Sequence, residues 1–381
     1  MERIYLDHAA TTPIHPLVIE EMTVEMTKTF GNPSSVHSFG REAHTKLEES
    51  RQIISNSLNV SPREIIFNSG GTEGDNTAII ETAFLKKESG QHIITSVFEH
   101  PAVLKTMAYL EEQGFEVTYL RVDSKGQISL EEFKQALRDE TILVSMMYGN
   151  NEVGTLLPIK EIGEILKDHP AVFHTDAVQA YGLEVVDPKE FGIDLFSISA
   201  HKINGPKGVG FLYKSEVVQL LPLLHGGDQE SKRRAGTENL TGIAGLAQAV
   251  KLLTTEEKIL RKEKYQSFQK IILERLETAA IEYHVNGGLE NRLAHILNLW
   301  IPGVSSELLL MNLDLQGIAV STGSACSAGT VKPSRVLETI YGEGHPATEE
   351  SVRISFGLNN TIEQIEHFAE VLIQIIERIR R

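Results

Sequence analysis

The sequence predicts an α/β fold: a mostly parallel sheet with helices on both faces, joined to a smaller α+β part. Three observations carry this. Between residues 64 and 213, short apolar strands alternate with helical patterns, as βαβ units do. A long lysine- and glutamate-rich helical pattern over 255–280 then links this region to the rest. Beyond it, strands near 294–300 and 351–356 lie among helices.

Taken in order, residues 1–14 give a short strand and the small-residue turn Ala9-Ala10-Thr11-Thr12-Pro13. Gly31-Asn32-Pro33-Ser34-Ser35 is a turn-rich loop, and 38–58 reads as a charged helix. A strand over 64–68 precedes a helix that begins at Thr72. A strand over 92–97 leads to a helix over 101–113, and a further strand spans 115–122. A helix over 130–137, a strand over 141–147 and a helix over 158–167 follow. Strands over 171–175, 194–199 and 208–213 complete the sheet. The last helix starts at Thr361 and Gln364, at capping-box spacing, with an apolar stripe of Ile362, Ile365, Phe368, Leu372, Ile375 and Ile379.

A chain of 381 residues buries roughly 75% of its unfolded surface and needs no disulfide or structural metal to hold a core. The net charge of −16 argues for a soluble protein and against a general nucleic-acid coat. No apolar run approaches the roughly 20 residues of a membrane span, and the first residues have no signal-peptide core. The expected compartment is the cytoplasm. Cys326 is the one cysteine, so neither an internal disulfide nor a multi-thiolate metal site is expected from one chain. No metal of its own is expected; Cys326 meets one only together with a partner's ligands.

Lys202 lies just past the strand 194–199, and Asp176 ends the strand 171–175. Strand ends of this kind are where α/β sheets bind ligands. A lysine and an acid on neighbouring strand ends suit pyridoxal phosphate: the amine forms a Schiff base and the acid pairs with the pyridinium nitrogen. Ser69-Gly70-Gly71-Thr72 opens a helix, where free amides favour a phosphate; a plain strand-to-helix turn is the alternative. His100 either stacks on a flat ring or caps its helix. Asn151 points from the sheet edge or belongs to turn chemistry. Gln179 donates to a ring oxygen, while Asp176 has a helix cap as its alternative. Ser199 and His201 flank the lysine and can serve a phosphate. The glycine-rich, basic stretch from His225 to Thr237 closes over a phosphate or is an exposed loop. Cys326 sits among Gly, Ser and Ala, which cannot pack it, and this reads as an exposed thiol on a mobile loop. Arg353 is the candidate for gripping a carboxylate, with a surface ion pair as the alternative. The remaining histidines, such as His37, His44, His169, His284, His345 and His367, read as surface residues.

Taken together, Tyr5-Leu6-Asp7 through Pro13, Gly31 through Ser35, Ser69 through Asn76, Glu99-His100, Asn150-Asn151-Glu152, Asp176 through Gln179, Ser199 through Gly210, Gly236-Thr237, Gly323 through Cys326, and Arg353 closely resemble the cysteine desulfurases of the NifS type. These are class V members of the fold-type I pyridoxal-phosphate enzymes. The resemblance implies a large cofactor-binding domain over 15–255 and a small domain of 1–14 with 256–381 that carries the Cys326 loop. It implies that Lys202 carries the cofactor and that Gly71, Thr72, Ser199 and His201 bind its phosphate. Thr237 is similar to the residue that reaches the neighbouring subunit's phosphate, which implies a homodimer. His100 stacks on the ring, Asp176 and Gln179 hold its nitrogen and oxygen, and Asn151 and Arg353 bind the carboxylate of L-cysteine. Cys326 attacks the substrate sulfur, leaving L-alanine and a persulfide for an acceptor protein. Gly71 stands where alanine is common. The chain stops at Arg381, shortly after its last helix, and this tilts the expected acceptor from an iron–sulfur scaffold toward a tRNA-thiolation sulfurtransferase. A selenocysteine lyase or an aminotransferase on the same fold is the alternative activity. An assembly partner that merely holds a sulfur acceptor is a third reading, which Lys202, Asp176 and Cys326 together oppose.

Overall fold

The computed structural model describes residues 3–323 and 333–380. Its centre is a seven-stranded sheet in the order Ile65–Asn68, Gly210–Lys214, Leu195–Ser199, Val172–Asp176, Thr141–Ser145, His92–Ser96 and Glu116–Leu120. The strands from Leu195–Ser199 to Glu116–Leu120 pair in parallel. They are short apolar runs buried on both faces, as a helix-covered parallel sheet requires. Successive residues serve opposite faces. Ile94, Val144, Phe173 and Phe196 join one apolar cluster, while Ile93, Leu143, Val172 and Leu195 join another.

Gly210–Lys214 runs antiparallel to both its neighbours. Its register sets Gly210 opposite Asn68 on one side and Ser199 on the other. The turn of helix Gly71–Lys86 is thereby carried beside the turn that holds Lys202. Helix and sheet meet closely at Gly74, where an added Cβ would lie 2.7 Å from Ser197 Oγ.

A third cluster lies at the other end of the molecule. Strand Ile296–Trp300 pairs antiparallel with Ser351–Ser355 and with His284–Val285. Helices Thr255–Thr278 and Ile362–Ile379 cover it through Phe268, Ile272, Phe368 and Leu372. The N-terminal strand Ile4–Tyr5 pairs with Ile318–Ala319 and adds Ile4 and Leu6 to this core.

Several expectations need correction. The last sheet strand is Gly210–Lys214 rather than 208–213, because Gly208 still turns the chain with φ +73°. Ile362, placed in the stripe of the last helix, is exposed: it stands in the first turn, before the helix reaches the core. Thr361 does cap that helix, accepting from the Gln364 amide at 3.3 Å. Helices Pro16–Lys28 and Leu240–Lys251 were not anticipated. The second carries almost no polar face, because it is buried along most of its length, so its sequence lacks the amphipathic period. Val336 and Leu337, late in the chain, pack into a sheet-side cluster.

A buried ion pair ties the edge of the sheet to the following loop. Arg51 donates to both carboxylate oxygens of Glu230, at 2.6 and 2.7 Å, and Glu230 also accepts from the Phe67 amide. Glu230→Ala removes the buried partner of Arg51 and leaves it only the exposed Glu48 carboxylate, at 3.0 Å, as counter-charge; urea unfolding should show a loss of about 3 kcal/mol. The double variant Arg51→Met/Glu230→Leu should recover most of it. A single-variant loss below about 1 kcal/mol would refute this role.

Candidate active site

The sheet's carboxyl edge opens on a cavity of roughly 560 Å³. Three structural layers meet there: the helix start at Gly70–Thr72, the strand ends at Asp176 and Ser199, and the N-terminal turn at Ala9–Thr11. Ten of the residues named from sequence line it: Gly71, Thr72, His100, Asn151, Asp176, Gln179, Ser199, His201, Lys202 and Arg353. Thr237 is exposed and does not reach the cavity of its own chain. Cys326 lies outside the described residues, although Gly323 and Ser334, near the two ends of that segment, both lie against Glu152.

At one end, Gly70 has φ +138°, a conformation that a side chain resists, and lets the chain turn sharply into the helix. The first-turn amides and the helix dipole face the cavity with Ser199, His201 and Lys207. Burial, with Lys202 and Lys207 nearby, pushes His201 down to about 4, so the ring is neutral. Its Nδ1 lies 3.1 Å from Thr11 Oγ1. Lys202 follows strand Leu195–Ser199 in a tight turn, and its ammonium donates to the carbonyls of Ala9 (2.5 Å) and Ala10 (2.8 Å).

The alternatives weighed for several residues turn out to be compatible with a place in the cavity. His100 caps its helix, with Nδ1 accepting from the Ala102 amide at 3.1 Å, and also lines the cavity. Asp176 accepts from the Val178 amide at 2.9 Å and lines it too. Asn150 performs the turn chemistry by accepting from the Glu152 and Val153 amides, while Asn151 faces the cavity. Arg353 is no surface ion pair. It is buried, pairs with Asp7 at 2.8 Å and donates to the Asn151 carbonyl at 2.8 Å; its Nε has no partner.

Residues given no individual role from sequence complete the site. Glu99 is buried, and desolvation pushes it up to about 8. One of its oxygens accepts from Ser96 Oγ and the Met147 amide, and the other has no partner. Burial raises Asp75 to about 7, and burial together with Asp75 raises Asp176. Asp75 stands one helical turn after Gly71, and that spacing is the signal that places both on one face. Arg335 donates to the carbonyls of Val97 and Glu99 at the rim. Among the described residues no group of three or more His, Cys, Asp or Glu can hold a metal ion.

The donor set fits pyridoxal phosphate. A helix start with Ser, His and Lys suits the phosphate, a buried acid suits the ring nitrogen, and an amine stands between them. Glu99 and Arg353, each with a buried polar atom that has no hydrogen-bond partner, line the same cavity, as expected where a polar ligand belongs.

The comparisons agree with this geometry. Residues 4–368 match the family model described as aminotransferase class-V. The chain is 55% identical, over all of both chains, to "Putative cysteine desulfurase IscS 1" of Bacillus subtilis (strain 168). It is 46% identical to cysteine desulfurase IscS of Methanosarcina thermophila, across 99% of this chain and 93% of that one. A solved NifS-like protein superposes with a TM-score of 0.92 at 34% identity, covering 99% of this chain and 100% of that one. A structure described as SspA in complex with cysteine gives a TM-score of 0.81 at 36% identity, covering 93% and 98%.

The protonated state of Glu99 has a measurable consequence. Its folded value lies above its ordinary 4.5, so the contribution is full at low pH and is lost as pH rises toward 8. Glu99→Gln keeps the shape without the charge. Its stability relative to the parent should therefore rise between about pH 4.5 and pH 8, by on the order of 4 kcal/mol. A pH-independent difference in urea unfolding would mean that Glu99 is ionised in the fold.

Proposed function

The chain belongs to the aminotransferase class-V family and is a pyridoxal-phosphate-dependent cysteine desulfurase, and we propose that Lys202 and Cys326 are its two reacting side chains. The observation that supports this most is the convergence of Lys202, Asp176, His100 and the Gly70–Thr72 helix start on one cavity. When bound, the cofactor supplies an electron sink for the bond next to the substrate nitrogen.

The chain's own residues do the rest. Gly71, Thr72, Ser199 and His201 hold the phosphate, and His100 covers the ring face. Asp176 holds a proton at the ring nitrogen, and Gln179 donates to the ring oxygen. Lys202 carries the cofactor and, once its amine is free, moves the proton at the substrate's α-carbon. Arg353 and Asn151 orient the carboxylate of L-cysteine. The Cys326 thiolate attacks the substrate sulfur: an S–S bond forms, the C–S bond breaks and the carbon is protonated. L-alanine and a persulfide on Cys326 result, with no outside oxidant or reductant.

The proposed partner is an acceptor protein that draws the persulfide sulfur toward tRNA thiolation or iron–sulfur assembly. The relatives named IscS support a sulfur-delivery role. We also propose a homodimer in which Thr237 serves the second subunit. It is supported by the exposure of Thr237 and by the exposed apolar side chains Leu17, Ile19, Phe30 and Phe39 on and between the first two helices. The domain division at 15–255 is supported by the separate core under helices Thr255–Thr278 and Ile362–Ile379. No helix among the described residues is long and apolar enough to cross a membrane. Cys326 must return to the free thiol after each sulfur transfer, and a reducing compartment keeps it so, which supports the cytoplasm.

The test is release of alanine and sulfide from L-cysteine with a thiol reductant. Equal amounts are expected from the intact chain, with a fall in both of about a hundredfold or more in Cys326→Ala and Lys202→Ala. Alanine formed at full rate without Cys326 would sink the persulfide step and favour the lyase alternative, in which the C–S bond breaks without a thiolate nucleophile.

A further inference from the structure

His295 is the most strongly perturbed histidine that the proposed chemistry leaves unused. It stands just before strand Ile296–Trp300, at a cavity of roughly 30 Å³ behind Lys202. Its Nε2 lies 3.2 Å from Gln179 Oε1, and its Nδ1 is buried without a partner. Gln179 Nε2 donates to the Ala9 carbonyl at 2.9 Å, the same carbonyl that accepts from Lys202.

These contacts leave little freedom of assignment. A carbonyl oxygen only accepts, so the Gln179 atom facing Ala9 is its NH₂ group. The Gln179 oxygen must then face His295, and Nε2 of His295 must carry the hydrogen. A neutral imidazole has one N–H, so Nδ1 is bare, as suits a buried nitrogen with no acceptor beside it. A second proton would place an unpaired donor in the interior, close to His8, Lys202, Arg353 and Arg292. Burial and these neighbours push His295 down to about 3. The imidazole is therefore a fixed donor through the working pH range. Gln179 lines both cavities, and with one N–H on the Ala9 carbonyl its amide has a second N–H to donate.

We infer that His295 is a positioning residue that locks the Gln179 amide so that its free N–H points into the cofactor cavity, toward an anionic ring oxygen. This rests on the role proposed above for Gln179. The Ala9 carbonyl holds the amide nitrogen and His295 holds the amide oxygen; without His295 only the Ala9 contact opposes a rotation that would offer the oxygen to the ring oxygen and repel it.

The experiment uses the cofactor-loaded protein and reads the pH midpoint of its visible absorption band with the cofactor dissociation constant. Gln179→Ala should shift the midpoint and weaken cofactor binding about fivefold, the worth of one lost hydrogen bond. His295→Leu should do the same, in the same direction. His295→Gln, which keeps an N–H donor, should stay near the parent. The double variant Gln179→Ala/His295→Leu should show no more than Gln179→Ala alone, because the two residues act as one unit. If Gln179→Ala shifts the band and His295→Leu does not, the inference is overturned and the Gln179 role stands. If Gln179→Ala leaves the band unchanged, the Gln179 role fails and the inference falls with it. If His295→Leu does not fold, nitrogen-15 shifts of the parent decide. A protonated Nε2 with a bare Nδ1 supports the inference, and the opposite tautomer overturns it.

Discussion

The antiparallel insertion of Gly210–Lys214 between Ile65–Asn68 and Leu195–Ser199 is the constraint on which the site depends. Asn68 and Ser199 end their strands at the same level, both opposite Gly210. The anion-binding helix start follows the first and the Lys202 turn follows the second. Because side chains alternate along a strand, a slip of one residue would turn Ser199 to the other face of the sheet. The register is secured locally. A Cβ on Gly210 would meet the Ile198 carbonyl at 2.2 Å, so nothing larger than glycine fits there.

The N-terminal turn is the second constraint. Leu6 is anchored in the far core, while Ala9 and Ala10 lie over Lys202. Asp7 holds Arg353, and Thr12 binds the His201 carbonyl. Small side chains at 9 and 10 leave the backbone carbonyls open to receive the ammonium.

Much of this was legible in the sequence. Strand ends could be read from apolar runs closed by turn residues, and Lys202, Asp176 and Gly71 stand at such ends. The residues that were missed share a physical cause. Glu99, Asp75 and His295 matter because they are desolvated, and desolvation comes from tertiary packing rather than from neighbours in sequence. Sequence also framed as alternatives what the structure combines. A cap and a ligand contact engage different atoms of one side chain, so His100 and Asp176 serve both uses. The helix Leu240–Lys251 escaped because burial around its circumference erases the polar face on which a periodicity argument relies.

The N-terminal turn also bears on the order in which the molecule is assembled. The Ala9 amide binds Ser355 Oγ across 346 positions of chain, and Ile4–Tyr5 pairs with Ile318–Ala319. Contacts of such high order carry a large loop-closure cost and form late. During synthesis the parallel sheet can collapse around its own cores long before these partners leave the ribosome. Residues made early are thus among the last to find their places. The carbonyls that receive Lys202 arrive only when the molecule is essentially finished, so a nascent chain exposes its lysine amine before it has a complete pocket to use it in.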